Sequence, residues 1–237
     1  MSLVVTKGYL LARYDYGVFD EILVFLNQFG NRFTCLALGT RKITSKNARA
    51  LLFGNYLEIE LFYSSNGEKL SKLKKVVAIN QIGLKYASNL ALLTLGDVIS
   101  KTPQTNKSWF MFYQDVLVKV LMDFDGYKLS IYIYLYFIKY VFKQVKIFKC
   151  KHYTENSKIL WSFSFEKNGL VCTTCYPQYA PLTNRELQLI VSLNNIDLSN
   201  NSFFIKTYNI NWQTMYLKFH NLFREYIKKI NKLYKKQ

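Results

Sequence analysis

Between Gly39 and Phe53 the chain carries Arg41, Lys42, Lys46 and Arg49 and no acid. Thr40, Thr44, Ser45 and Asn47 add neutral donors to the same stretch. Such residues suit an anion: the cations displace counterions from phosphates, and hydroxyls and amides add directional hydrogen bonds. The same composition also describes a solvated surface loop. A second group is Cys172-Thr-Thr-Cys175, two thiols spaced to converge on one metal ion, with Cys150 and His152 upstream. Cys150, His152, Cys172 and Cys175 form a candidate Cys3His tetrahedron for one structural zinc. Cys-x-His is a cramped spacing for two ligands, so a degenerate, metal-free finger with buried, reduced cysteines stands beside that reading.

Chemistry that makes or breaks bonds is thinly provided for. The 15 acidic residues are scattered, and the only histidines are His152 and His220. A metal-dependent nuclease needs several carboxylates converging on its ions. No HExxH, Walker loop or GxSxG is present. The chain is therefore expected not to be an enzyme. Its formal net charge is +17, from 32 Lys and Arg against those acids. The pI is about 9.6, the bias of a protein that meets a polyanion. Only six of the basic residues are Arg, and the abundance of Lys, Asn, Ile and Tyr is what an AT-rich genome writes. Codon bias accounts for Lys over Arg better than for the shortage of acids, so the polyanion reading stands.

The elements that must position these groups follow from pattern. Val4 to Arg13 is a first strand, with Gly8 as its bend or bulge. Ile22 to Leu26 and Phe33 to Leu38 flank Phe29-Gly30-Asn31, a hairpin turn. Tyr56 to Tyr63 alternates Leu57, Ile59 and Leu61 with Glu58 and Glu60, and Lys72 to Ile79 is a fifth strand. Five short strands in about eighty residues predict a small barrel of the OB type, with Lys46 to Gly54 as a short helix inside it. The fold class expected is α+β: an N-terminal OB-fold β-barrel over 1–80, then a helical domain over 81–237. A small zinc-finger-like insertion falls at about 148–180 within the latter.

After Asn80 the spacing turns helical at Gln81 to Leu95, Trp109 to Phe124 and Tyr127 to Phe142, with Gly126 expected as a helix C-cap. Lys139, Lys143, Lys146, Lys149 and Lys151 follow with no acid, the first three spaced for one helical face. Ile159 to Phe165 alternates and Lys167-Asn168-Gly169 reads as the turn of a small hairpin. Thr183 and Glu186 are spaced as a capping box. Trp212 to Tyr234 is a basic amphipathic helix, suited to packing on other helices more than to a membrane surface. The longest apolar run, Leu129 to Ile138, is too short to span a bilayer, and no secretory signal opens the chain. With four cysteines and no disulfide scaffold, a cytoplasmic protein is expected.

Lys7-Gly-Tyr-Leu-Leu-Ala-Arg13, Tyr16-Gly-x-x-Asp20-Glu-Ile-Leu, Phe29-Gly30, Gly39-Thr-Arg-Lys42, Ser45 and the alternating strand at Tyr56 occur in an order that resembles the RecO family. Tyr140 to Cys150 and Cys172-x-x-Cys175 fall where that family places its zinc finger; Tyr153 departs from it, standing where a ligand cysteine is expected. The resemblance implies a bacterial, nucleoid-associated recombination mediator of DNA repair. It implies binding of single- and double-stranded DNA and annealing of complementary strands. The partners it implies are RecR, the acidic C-terminal tail of the single-strand-binding protein and, indirectly, RecA. On this reading Arg13, Arg32, Arg41, Lys42, Lys46 and Arg49 contact nucleic acid, and Tyr16 and Phe33 are candidate stacking platforms. An RNA- or ribosome-associated OB protein would share fold and charge, and is the alternative.

Overall fold

The computed structural model describes residues 2–64, 70–82, 86–142, 146–148, 160–192 and 209–234. Five strands come first: β1 (Ser2–Tyr16), β2 (Asp20–Asn27), β3 (Arg32–Ala37), β4 (Tyr56–Tyr63) and β5 (Ser71–Asn80). They form a closed barrel in the order β1-β2-β3-β5-β4, consistent with the expected OB-like unit. All pairings are antiparallel except β3 with β5, where Cys35 and Leu36 lie beside Ser71 and Lys72. Closure depends on one long strand serving two neighbours. The first half of β1 pairs with β4 and the second half with β2, and Gly8 is opposite both Leu57 and Asn27. A Cβ at Gly8 would lie 2.1 Å from the Leu26 carbonyl oxygen, so only glycine lets the strands approach there. The irregularity in β1 itself falls between Leu10 and Ala12, not at Gly8.

Alternation fills the barrel as the pattern requires. Leu57, Ile59 and Leu61 of β4 are buried while Glu58 and Glu60 are not, and they meet Leu10, Leu23, Phe25 and Cys35 in one cluster. Each large apolar side chain buried this way contributes roughly 1.5–3 kcal/mol. Between β3 and β4 the chain forms consecutive turns rather than the expected helix over Lys46–Gly54. Short backbone turn bonds hold it, such as the Leu52 N–H to the Ala50 carbonyl at 2.8 Å; Asn55 Nδ2 also donates to the Ala50 carbonyl at 3.1 Å, and Ala50 and Leu51 plug the barrel.

Three helices follow, α1 (Tyr86–Lys101), α2 (Lys107–Leu121) and α3 (Gly126–Phe142). Packing divides the chain into two compact units, Met1–Leu129 and Ser130–Gln237, so α1 and α2 belong to the unit of the barrel. Gly96 of α1 sits on the β1 irregularity, where a Cβ would be 2.0 Å from the Leu11 carbonyl oxygen. The Tyr9 ring of β1 stacks on Tyr113 of α2 at 4.3 Å. Gly126 does not cap a helix; Met122 is the cap residue of α2, Asp123 takes the positive φ, and Gly126 begins α3.

The second unit holds the rest of α3 with β6 (Lys146–Ile147), β7 (Trp161–Ser164), β8 (Gly169–Cys172), α4 (Asn184–Ser192) and α5 (Trp212–Tyr234). The strands form a sheet in the order β6-β8-β7, with the expected β7–β8 hairpin turning at Asn168 in the left-handed region. Lys146 lies in a strand, so it does not extend a helical stripe from Lys139; Lys143, Lys149 and Lys151 lie outside the described residues. The capping box is formed, with the Thr183 N–H donating to Glu186 Oε2 at 2.7 Å and the Glu186 N–H to Thr183 Oγ1 at 3.3 Å. Met215, Phe219 and Phe223 of α5 are buried on the face the pattern marked, with Phe163 and Phe165 among their neighbours. Among the described residues no helix is long and apolar enough to cross a membrane.

Candidate nucleic-acid interface

The six basic candidates of the first unit separate into two kinds. Arg13 Nε and Nη2 donate to the two carboxylate oxygens of Glu21 at 2.9 and 2.8 Å, and Nη1 donates to the Leu51 carbonyl at 3.0 Å. Glu21 is buried. Burial alone would raise its pKa, but hydrogen bonds from Arg13 and Thr40 and the charges of Arg13 and Arg41 outweigh it and hold the carboxyl below its ordinary value. Arg32 Nη1 donates to the carbonyls of Ile99, Ser100 and Thr102 at 3.0, 2.7 and 2.6 Å. It caps the C-terminal end of α1, where a cation also meets the negative end of the helix dipole. Arg13 and Arg32, both among the cations expected to contact nucleic acid, thus have donors engaged within the fold.

Arg41, Lys42, Lys46 and Arg49 are exposed, and the fold pins the loop that bears them. The Gly39 N–H donates to Asp20 Oδ1 at 2.7 Å and the Arg41 N–H to the Phe19 carbonyl at 3.0 Å, docking the loop on the β1–β2 turn. Farther on, Asn47 Oδ1 accepts from the Val76 N–H at 3.1 Å and Asn47 Nδ2 donates to the Lys74 carbonyl at 3.5 Å. One asparagine side chain therefore ties the basic loop to β5. That strand carries Lys72, Lys74 and Lys75, all exposed, and the Asn47 bonds fall at Lys74 and Val76. These three are absent from the sequence-predicted set, in which β5 is only a barrel strand; their alternation with the buried Leu73 and Val76 was the available signal.

Charge on this face is only partly neutralised. Arg41 Nη1 lies 3.2 Å from Asp15 and Lys74 Nζ 3.2 Å from Glu60, both exposed or half-exposed pairs of small net strength. Lys42, Lys46, Arg49, Lys72 and Lys75 have no acidic partner among the described residues. Two cations lie over rings: Lys42 Nζ is 5.4 Å from the Phe19 centroid and Lys74 Nζ 5.9 Å from that of Phe62. Of the expected stacking platforms, Phe33 packs on Phe25 at 5.3 Å against the barrel core, whereas Tyr16 is exposed.

The metal candidate divides across the described boundary. Cys172 is buried at the end of β8 and Cys175 is exposed in the following turn, where the Tyr176 N–H donates to the Cys172 carbonyl at 3.0 Å. Cys150 and His152 lie outside the described residues. Among the described residues no three His, Cys, Asp or Glu side chains stand together as metal ligands.

An N-terminal five-stranded barrel with a cationic face, followed by helices, defines an α+β protein consistent with an OB-fold and helical domain. No family model matches the chain. The chain is 24% identical over 221 residues to the DNA repair protein RecO of Mycoplasma mycoides subsp. mycoides SC, covering 89% of this chain and 88% of that one. It is 26% identical over 211 residues to that of Mesoplasma florum, covering 86% and 77%. The RecO of Mycoplasma capricolum subsp. capricolum is 24% identical over 177 residues, covering 72% and 71%. These matches, over most of both chains in each pair, support the assignment of the chain to the RecO family.

Proposed function

We propose that this chain is a non-catalytic DNA-binding protein of recombinational repair. It binds single- and double-stranded DNA, anneals complementary strands and helps to load recombinase onto protein-coated single strands. The observation that carries the reading is the cationic face assembled by Asn47, which ties Lys46 and Arg49 to the strand of Lys72 and Lys75. The names of the relatives supply the repair context. Mechanistically, these ammonium and guanidinium groups replace counterions on phosphates, so affinity falls steeply with salt. Two strands partly neutralised on such a face repel each other less and can test their pairing. RecR and the acidic tail of the single-strand-binding protein are the protein partners proposed, with RecA engaged indirectly.

The test is annealing of complementary oligonucleotides coated with the cognate single-strand-binding protein, with the double variant Arg41→Glu, Lys42→Glu beside wild type. Wild type accelerates annealing, and the variant loses both DNA affinity and part of its salt dependence. Unchanged affinity and salt slope in the variant would remove the loop from the reading. Competition between single-stranded DNA and RNA of matched sequence decides against an RNA-binding role if DNA is preferred.

A further inference from the structure

The turn between β1 and β2 exposes more apolar surface than a solvated hairpin tip requires. Within four consecutive positions, Tyr16 is 52% exposed, Val18 74% and Phe19 49%, around Gly17 at φ +66°. An exposed cluster of large apolar side chains is informative where isolated ones are not. This cluster has cationic neighbours held in place. The Arg41 N–H donates to the Phe19 carbonyl, and the Lys42 ammonium lies over the Phe19 ring. The nearby acids are engaged: Asp20 accepts from the Gly39 N–H, and Asp15 pairs with the Arg41 guanidinium.

We propose that this tip is a base-stacking subsite for single-stranded DNA, with Tyr16 and Phe19 as platforms and Arg41 and Lys42 holding the adjoining phosphates. The inference rests on the DNA-binding reading above and adds a division of labour within it. An aromatic ring binds the face of a base, and in a duplex those faces are covered by neighbouring base pairs. Backbone phosphates are presented by both forms. The tip therefore discriminates, and the cations of the 46–49 stretch and β5 do not. Arg41 moves from Asp15 to phosphate as the strand binds, exchanging one exposed ion pair for another at little cost.

The experiment uses the full chain, with fluorescence anisotropy on an oligothymidylate and on a mixed-sequence duplex of the same length at one salt concentration. Tyr16→Ala with Phe19→Ala is expected to weaken single-strand binding by at least about fivefold, the lower bound for losing one stacked base. Duplex affinity is expected to stay within about twofold, since phosphate contacts remain, and that retention also reports a folded barrel. Tyr16→Trp in the Phe19→Ala background is expected to recover part of the loss. Single-strand affinity unchanged by the double substitution, or equal losses on both probes, overturns the subsite while leaving the general DNA reading intact. Wild type that binds neither probe sinks the general reading, and the subsite with it.

Discussion

Arg13 grips Glu21 through both carboxylate oxygens across the β1–β2 pair, one residue partly exposed and the other buried. Removing the arginine strands a buried carboxylate. Arg13→Ala is therefore expected to cost about 2 kcal/mol or more, below the 3–5 of a fully buried pair because the guanidinium is partly exposed. Urea unfolding of variant and wild type measures it.

The same pair makes a pH prediction. Glu21 is held below its ordinary carboxyl value in the folded chain, so its contribution to stability is fully present above the unfolded value near 4.3 and is lost as pH falls through the lower folded value. Unfolding midpoints should fall between about pH 4 and the acid limit, where protonation removes this contribution. In Arg13→Ala that decline should shrink, because burial is then opposed only by the Thr40 hydrogen bond and the charge of Arg41. An acid profile identical to that of wild type would show that Glu21 is not the group responsible.

Two glycines with positive φ differ in what surrounds them. At Gly30, φ +83°, a Cβ would come within 2.0 Å of the Asn106 carbonyl carbon and oxygen; at Gly17, φ +66°, nothing lies within 4 Å. Gly17→Ala should cost only the backbone strain, about 1–2 kcal/mol. Gly30→Ala adds displacement of the α2 N-terminus and should cost clearly more, read as the difference between the two thermal melts.

Cys35 faces the barrel core, and burial pushes its thiol up to about 12. Thiolate is the reactive form, so Cys35 should stay unlabelled by iodoacetamide at neutral pH while the barrel is folded. Peptide mapping by mass spectrometry should show labelling only as denaturant unfolds the unit. Rapid labelling of Cys35 in the native chain would contradict the packing.

Charge substitutions should sort by partner. Lys46→Glu and Arg49→Glu are expected to flatten the salt dependence of duplex binding by about 0.9 in the logarithmic slope for each phosphate no longer neutralised, with melting unchanged. Arg32→Ala should do the reverse, lowering stability through three unmet carbonyls at the end of α1 while leaving the slope in place.

Much of this molecule was written locally. Alternation at Leu57, Ile59 and Leu61, the turn at Gly30, the Thr183–Glu186 box and the apolar stripe of α5 each depend on neighbours within a few residues, and each formed. The turns over 46–54 did not become a helix, because Ala50 and Leu51 are drawn into the barrel and Asn47 into β5, tertiary interactions that local propensity does not contain.

The sequence by itself determined the cationic balance, the five strands and which side chains of each are apolar, since composition and period-two burial are properties of short stretches. Only the tertiary structure decided which cations are available to a ligand. A guanidinium carries the same charge at Arg13, Arg32 and Arg49, and what differs is whether folding brings a carboxylate, a helix end or solvent to its donors.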